Sequence, residues 1–344
     1  MSAGRVSACQ RTRFSVLAVY AAVMSQPFED LPTLLTADEL VDKAFSRAAR
    51  AGRAKSGVEA QQSMLMTATN IVSDNLQNAV ADWPDFGTLD PFYYELADAI
   101  ADVDELRQSL NELSWASRKA KEIRQEYEGR LARGDADTAR KLRKQAFARV
   151  ADVVDEIEGD MQELSDARES LRKLPDIRPD EPTIVIAGYP NVGKSSFVNT
   201  VTHASNETAS YPFTTTGVNV GHVERDHIRY QLVDTPGLLD RPPEERNAIE
   251  SQAVSALEHA ADAVLVLLDA SGDCGYPLAE QLDLRDDIEA RFDVPVLTVC
   301  NKSDRSRDVE ADYYMSITGG ENVQTVLDAA IDAVDYEPEL PFEG

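Results

Sequence analysis

Residues 183–199 read TIVIAGYPNVGKSSFVN. The first five form a short apolar run rich in β-branched side chains, with a proline before and a glycine after. That is the pattern of a strand buried on both faces. The next nine, GYPNVGKSS, fit the spacing G-x-x-x-x-G-K-[ST] at Gly188, Gly193, Lys194 and Ser195, and a helical pattern opens at Lys194. Strand, glycine-rich turn and helix in that order aim backbone N–H groups at phosphate oxygens, at a helix N-terminus whose dipole already favours anions. Gly188, Asn191, Val192, Gly193, Lys194, Ser195 and Ser196 are therefore read as the cradle of a nucleoside triphosphate. Lys194 is assigned to the β and γ phosphates and Ser195 to a Mg2+ ion.

Two motifs further along say which nucleotide. LVDTPG closes an apolar run at Leu232–Gly237, where Asp234 would hold Mg2+ through water and the Gly237 N–H would meet the γ-phosphate. NKSD closes another at Asn301–Asp304. The Asp304 carboxylate can accept hydrogen bonds from both the N1–H and the 2-amino group of guanine. Adenine offers neither, and a carboxylate buried without them rejects it. Asn301 should brace the loop, and the Lys302 stem can lie over the purine plane. Two softer boxes flank these. YPFTTTG supplies Thr215 as a second Mg2+ ligand, with Thr214 and Thr216 as alternatives, and in MSITGG the backbone of Ser316 and Ile317 should close over the base. Lys194, Thr215 and Gly237 are the groups expected to touch the transferring phosphoryl group.

Working outward, short apolar runs (GVNVGHVE, IRYQLVDT, AVLVLLDA, VPVLTVCN, YYMSI) alternate with helical patterns starting near Lys194, Arg246 and Pro277, and a last helix over Glu321–Asp335. Alternation of this kind predicts an α/β P-loop GTPase domain, a mostly parallel sheet with helices on both faces, over residues 183–335. On the N-terminal side the texture is helical. ADELVDKAFSRAARA and the stretch from Gly57 to Trp83 carry apolar residues at three- and four-residue spacing, and two long patterns cover Ala101–Ala132 and Asp137–Lys173. Gly134 stops the first of these and Asp137 is a candidate N-cap for the second. An apolar stripe of Phe147, Val150, Val153, Val154, Ile157, Met161 and Leu164 should pair the two as an antiparallel hairpin. An all-α helical-bundle domain is expected over 28–175, separated from the G domain by the proline-punctuated LPDIRPDEPT. Residues 1–27 are read as a disordered extension or a mis-set start upstream of Met24, and 336–344 as an acidic tail.

The 61 acidic and 34 basic residues give a net charge of −27. Residues 183–344 hold 29 acidic and 10 basic side chains, net −19, against −8 for residues 1–182. An acidic, lysine-poor surface suits a high-salt cytoplasm, where screening weakens self-repulsion. DNA is not an expected partner. No run approaches the ~20 apolar residues of a membrane span, so a membrane-embedded GTPase is not expected. The three cysteines, Cys9, Cys274 and Cys300, have neither metal-ligand nor disulfide-framework spacing, and a reducing cytoplasm is the natural reading.

The boxes YPFTT and DTPG resemble the Obg-related branch of translation-factor GTPases. Longer strings are similar to the Nog family of GTP-binding proteins: GYPNVGKSSFVN, Val220–His222, ERNAIESQAVSAL, CGYPLAEQ and, in the helical half, LPTLLTADELVDKAFSR, FYYELADA and LPDIRP. The resemblance runs from about Phe28 to Asp335. It implies a role in assembling the large ribosomal subunit, with a helical domain that engages precursor RNA or protein. The alternative is an Obg- or Drg-like nucleotide-dependent switch in translation with negligible turnover. Basic clusters at Arg47, Arg50, Arg53 and Lys55, at Arg118, Lys119, Lys121 and Arg124, and at Arg140, Lys141, Arg143 and Lys144 are candidate rRNA phosphate contacts. Leu238 stands where Ras-like enzymes place the glutamine that orients water. Intrinsic hydrolysis is therefore expected at or below ~10⁻⁴ s⁻¹. Asn191 occupies the position that related potassium-activated GTPases use to help bind K+.

Overall fold

The computed structural model describes residues 26–174, 176–202, 207–209, 218–240 and 246–336. Two compact units emerge. One comprises Phe28–Leu89 and Ile100–Arg172; the other comprises Asp90–Ala99, the chain from Lys173 onward and the residues up to Pro27. The described residues include ten helices and seven strands, and none of those helices is long and apolar enough to cross a membrane.

Six helices precede the sheet: α1 (Ala37–Arg53), α2 (Gly57–Ala81), α3 (Pro91–Ala101), α4 (Val103–Arg133), α5 (Ala136–Glu156) and α6 (Glu158–Leu171). All but α3 lie in the helical unit. At the start of α1, the Thr36 hydroxyl accepts from the Glu39 N–H while the Glu39 carboxylate accepts from the Thr36 N–H, a reciprocal cap readable in TADE. Small buried residues let α2 and α4 approach closely: Ala68, Ser73, Ala116, Ser117 and Ala120, with the Ser117 hydroxyl donating to the Ser73 carbonyl at 3.0 Å. The expected hairpin forms between α4 and α5–α6. Ser109 Oγ, early in α4, lies 2.9 Å from carboxylate oxygens of both Asp160 and Glu163 on α6 and can donate its one proton to either, and Arg149 on α5 pairs with Glu126, late in α4. Two boundaries differ from expectation. The N-cap of α5 is Asp135, which accepts from the Thr138 N–H at 2.8 Å, because the cap directly follows Gly134 rather than lying three residues beyond it. The single helix expected over 137–173 is two, divided at Ile157, which keeps its side chain on the apolar stripe. Periodicity could not show the break, because the burial pattern runs straight through it.

In the other unit the sheet comprises β1 (Thr183–Ala187), β2 (Glu207–Ala209), β3 (Val218–Arg225), β4 (Ile228–Asp234), β5 (Ala263–Asp269), β6 (Val296–Asn301) and β7 (Tyr313–Tyr314), in the order β2-β3-β4-β1-β5-β6-β7. Strands β4, β1, β5, β6 and β7 are parallel, and β2 and β3 are antiparallel additions. The β3–β4 turn is Asp226-His227, both with positive φ (53° and 67°), the geometry of a two-residue hairpin turn that follows the sheet's twist. Every residue of β1 and β5 is buried, as unbroken apolar parallel strands require. The helices are α7 (Lys194–Val201), α8 (Ala248–Ala260), α9 (Leu278–Arg291) and α10 (Val323–Val334).

Residues 90–99, within the helical stretch expected over 28–175, cluster with the sheet-bearing unit. Phe92 and Tyr93 are buried, the Tyr93 hydroxyl donates to the Ile177 carbonyl at 2.6 Å, and Glu95 lies 2.9 Å from His259 at the end of α8. The proline-rich linker is fastened to β4 by Gln231, fully buried. Its Oε1 accepts from the Arg178 N–H at 2.9 Å, and its Nε2 donates to the Arg178 carbonyl at 2.7 Å. Gln26 is buried too and donates to the Leu174 carbonyl, so the end of the expected 1–27 extension is part of the fold.

His222 pairs with Gln231 across β3 and β4. Burial first, then Arg229 and Arg178, push its imidazole down from the ordinary 6.5 to about 4, against the pull of Asp176. The folded chain keeps the ring neutral where the unfolded chain protonates it. Its contribution to stability is intact above pH 6.5 and is lost as the pH falls toward 4. In His222→Gln, the loss of stability over that interval is expected to be smaller by about 1 kcal/mol, discounted for solvent around a partly exposed ring. Parallel melting curves for the two proteins across that range would assign the acid sensitivity to other groups.

Candidate nucleotide-binding site

The carboxyl edge of the sheet gathers the motifs, as open α/β sheets do at their ligand sites. Strands β4, β1, β5 and β6 are adjacent and parallel, so their ends, Asp234, Ala187, Asp269 and Asn301, share that edge.

The turn after β1 depends on two glycines in the left-handed half of conformational space, Gly188 at φ +128° and Gly193 at φ +112°. A methyl group on Gly188 would collide with the Leu267 carbonyl, and one on Gly193 with the Asn301 amide. Asn191 also has positive φ, 63°, and is exposed. Val192 is buried, whereas Ser195 and Ser196 are exposed on the first turn of α7. The Lys194 ammonium, buried, donates to the carbonyls of Gly188 at 2.5 Å and Tyr189 at 3.1 Å. Burial lowers its pKa, opposed by the charges of Asp240 and Asp234.

Ser195 Oγ donates to Asp234 Oδ2 at 2.5 Å. Asp234 is fully buried, and its Oδ1 has no hydrogen-bond partner among the described residues. Burial pushes this carboxyl up, opposed by the Ser195 hydrogen bond and Lys194. A hydroxyl beside a buried carboxylate with one oxygen unsatisfied is a donor set that suits a hard divalent cation. The Gly237 N–H donates to Asp240 Oδ2 at 2.7 Å. Leu238 is fully buried, so the side chain at the Ras-glutamine position is part of the core. Thr215, with Thr214 and Thr216, lies outside the described residues.

At the end of β6, Asn301 binds three loops together. It is buried; its Nδ2 donates to the Val192 carbonyl at 2.8 Å, and its Oδ1 accepts from the Ile317 N–H at 3.3 Å. Lys302 has φ 56° and donates to Asp269 Oδ2 at 2.6 Å. Asp304 is exposed. Ser316 is buried; its Oγ accepts from the Gly319 N–H, and it exchanges backbone hydrogen bonds with Glu321 to close the turn that carries Ile317. The geometry thus joins the phosphate-loop residues to Asn301 and Ile317, and Asp234 to Ser195.

The comparisons with known proteins agree across both halves of the chain, from residue 28 to residue 302. A family model described as the NOG1 N-terminal helical domain matches residues 28–178, and one described as a 50S ribosome-binding GTPase matches residues 183–302. An uncharacterised protein of Methanocaldococcus jannaschii is 38% identical over 290 residues, 81% of each chain. Nucleolar GTP-binding protein 1 of Drosophila melanogaster is 38% identical over 233 residues, 67% of this chain and 36% of the fly protein. The Arabidopsis thaliana protein of the same name is 38% identical over 231 residues, 67% of this chain and 34% of the plant one. The chain belongs to the NOG1 family. It spans about a third of the length of those two nucleolar proteins and carries the helical domain and the GTPase domain of the family.

One NOG1-like string, CGYPLAEQ, had no role assigned from sequence. The structure makes it the brace of the NKSD loop. Asp269, fully buried at the end of β5, accepts from the Ser271 hydroxyl and N–H, the Cys274 N–H at 2.8 Å and the Lys302 ammonium. Burial alone would raise its carboxyl; the bonds from Lys302 and Ser271 hold it below the usual value. Gln281 donates to the carbonyls of Asp269 and Tyr276 while its Oε1 accepts from the Asp269 N–H, and the Tyr276 ring packs 4.6 Å from that of Tyr189 in the phosphate loop. The sequence signal was an acid ending an apolar parallel strand. Asp269→Asn is expected to weaken GDP and GTP binding alike by about tenfold, the worth of one charge-assisted hydrogen bond, by freeing Lys302. Titration with fluorescent nucleotides reads it, and unchanged affinities would show that Lys302 needs no anchor. Cys274 and Cys300 are buried free thiols, and burial raises both. Neither environment activates a nucleophile.

Proposed function

We propose that this chain binds Mg2+ with GTP or GDP, hydrolyses GTP to GDP and phosphate slowly on its own, and uses that cycle in building the large ribosomal subunit. The observation that carries the reading is the Asn301 side chain, which ties the phosphate loop to both base-side loops. A phosphate cradle and a base reader held by one amide form one nucleotide site. Ser195 and Asp234 would hold the Mg2+, joined by Thr215; there it would neutralise charge developing between the β and γ phosphates. Lys194 binds the phosphates, the Gly237 N–H meets the γ-phosphate, Lys302 lies over the purine and Asp304 reads its edge. Ser316 and Ile317 close over it. Asn191, exposed and already left-handed, is the candidate K+ contact that would stimulate turnover. The ribosomal part of the reading draws on the family and on the names its relatives carry. It is supported by exposed cations Arg140, Lys141 and Lys144 early in α5. The middle basic cluster is instead occupied within the helical unit: Lys119 with Glu122, Lys121 with Gln77 and Arg124 with Asn70.

The burial of Leu238 also supports a second reading, a nucleotide-dependent switch whose turnover is negligible. Sedimentation of the chain with large-subunit precursors under GTP and under GDP, with phosphate release followed in parallel, separates the two. Nucleotide-dependent association with turnover supports assembly by a GTPase, association without turnover supports the switch, and no association overturns the ribosomal reading.

A further inference from the structure

Asp240 is three residues beyond the glycine of DTPG, and nothing in the nucleotide chemistry described above uses it. Its carboxylate accepts the Gly237 N–H at 2.7 Å, and it lies close enough to Lys194 and Asp234 to act on both charges. The Gly237 amide is the donor that the γ-phosphate of GTP requires, and Lys194 is the cation it requires. An anion already on that amide and near that ammonium copies two of the interactions of a terminal phosphate. We infer that Asp240 is a built-in stand-in for the γ-phosphate, which GTP must displace and GDP need not, so that it sets the preference of the site for GDP over GTP. The inference rests on the guanine-nucleotide reading of the site. The physical logic is selectivity by a repulsive element. Displacing the carboxylate breaks a charge-assisted hydrogen bond and leaves two anions facing each other across one amide, and only the triphosphate meets that penalty.

The test measures the affinities of GDP and of guanosine 5′-[β,γ-imido]triphosphate in the wild type, in Asp240→Ala and in Asp240→Asn, with melting curves to verify folding. The expected result for Asp240→Ala is an unchanged GDP affinity and a triphosphate affinity higher by about tenfold or more, the scale of one hydrogen bond to a charged group. Asp240→Asn should shift in the same direction but less, since its amide oxygen can still accept from Gly237. If both nucleotides weaken together, or the ratio stays at the wild-type value in both variants, Asp240 is only a structural tie and the inference falls. A wild type that binds neither nucleotide would remove the guanine-site reading itself, and this inference with it.

Discussion

Asp304→Asn is expected to lose GDP binding by about two to three orders of magnitude while gaining xanthosine diphosphate, with no change in melting temperature. The base edge of guanine shows two donors, N1–H and the 2-amino group, and a carboxylate satisfies both. An asparagine keeps one acceptor and replaces the other with an amino group that faces the 2-amino group, donor against donor. Xanthine carries a carbonyl at that carbon, which the new amino group can satisfy. Stability should be indifferent because Asp304 is exposed, and exposed substitutions away from special geometry change stability little. Calorimetric titration with the two diphosphates measures the exchange directly. If the Asp304→Asn variant bound GDP as the wild type does, Asp304 would not be the base reader.

Gly193→Ala should damage both the stability and the nucleotide affinity of the sheet-bearing unit. At φ +112° an alanine is strained by about 1–3 kcal/mol. Its Cβ would also collide with the Asn301 amide, which is not the loose end of a long side chain, because Asn301 is held by Val192 and Ile317. Relief requires the phosphate loop and the base-side loops to separate. Both nucleotides should therefore weaken by about a hundredfold or more, beyond what the lost stability alone explains. Thermal unfolding and nucleotide titration on the same sample separate the two effects. A variant that melts earlier yet binds normally would show that the loops can move apart without harm.

What the sequence made legible was local or periodic. The fully buried strands β1 and β5 are apolar runs with no alternation, and ADELVDKAFSRAARA carries the helical spacing of α1. The nucleotide boxes are visible because phosphate recognition is done by a few backbone groups in one turn, which restricts residue types at fixed spacing. What stayed hidden depends on partners distant in the chain. The anchor of Lys302 is Asp269, and nothing near either residue advertises the other. Asp240 is one more acid in an acidic chain until Gly237 is seen donating to it. What α3 packs against stayed hidden too, because its apolar residues Phe92, Tyr93, Leu96 and Ala97 show which residues are buried, not what they are buried against. The three-residue β2 is too short for any pattern to register.

The chain passes from the helical unit into the sheet-bearing unit at Asp90, returns after Ala99, and crosses again at Lys173. No single nick can therefore release a complete G unit. A fragment starting at the linker would discard the helix that supplies Glu95 to His259 and the Tyr93 hydroxyl to Ile177. A recombinant G domain that keeps its native surface must carry residues 90–99 with it, by circular permutation or as a tethered peptide.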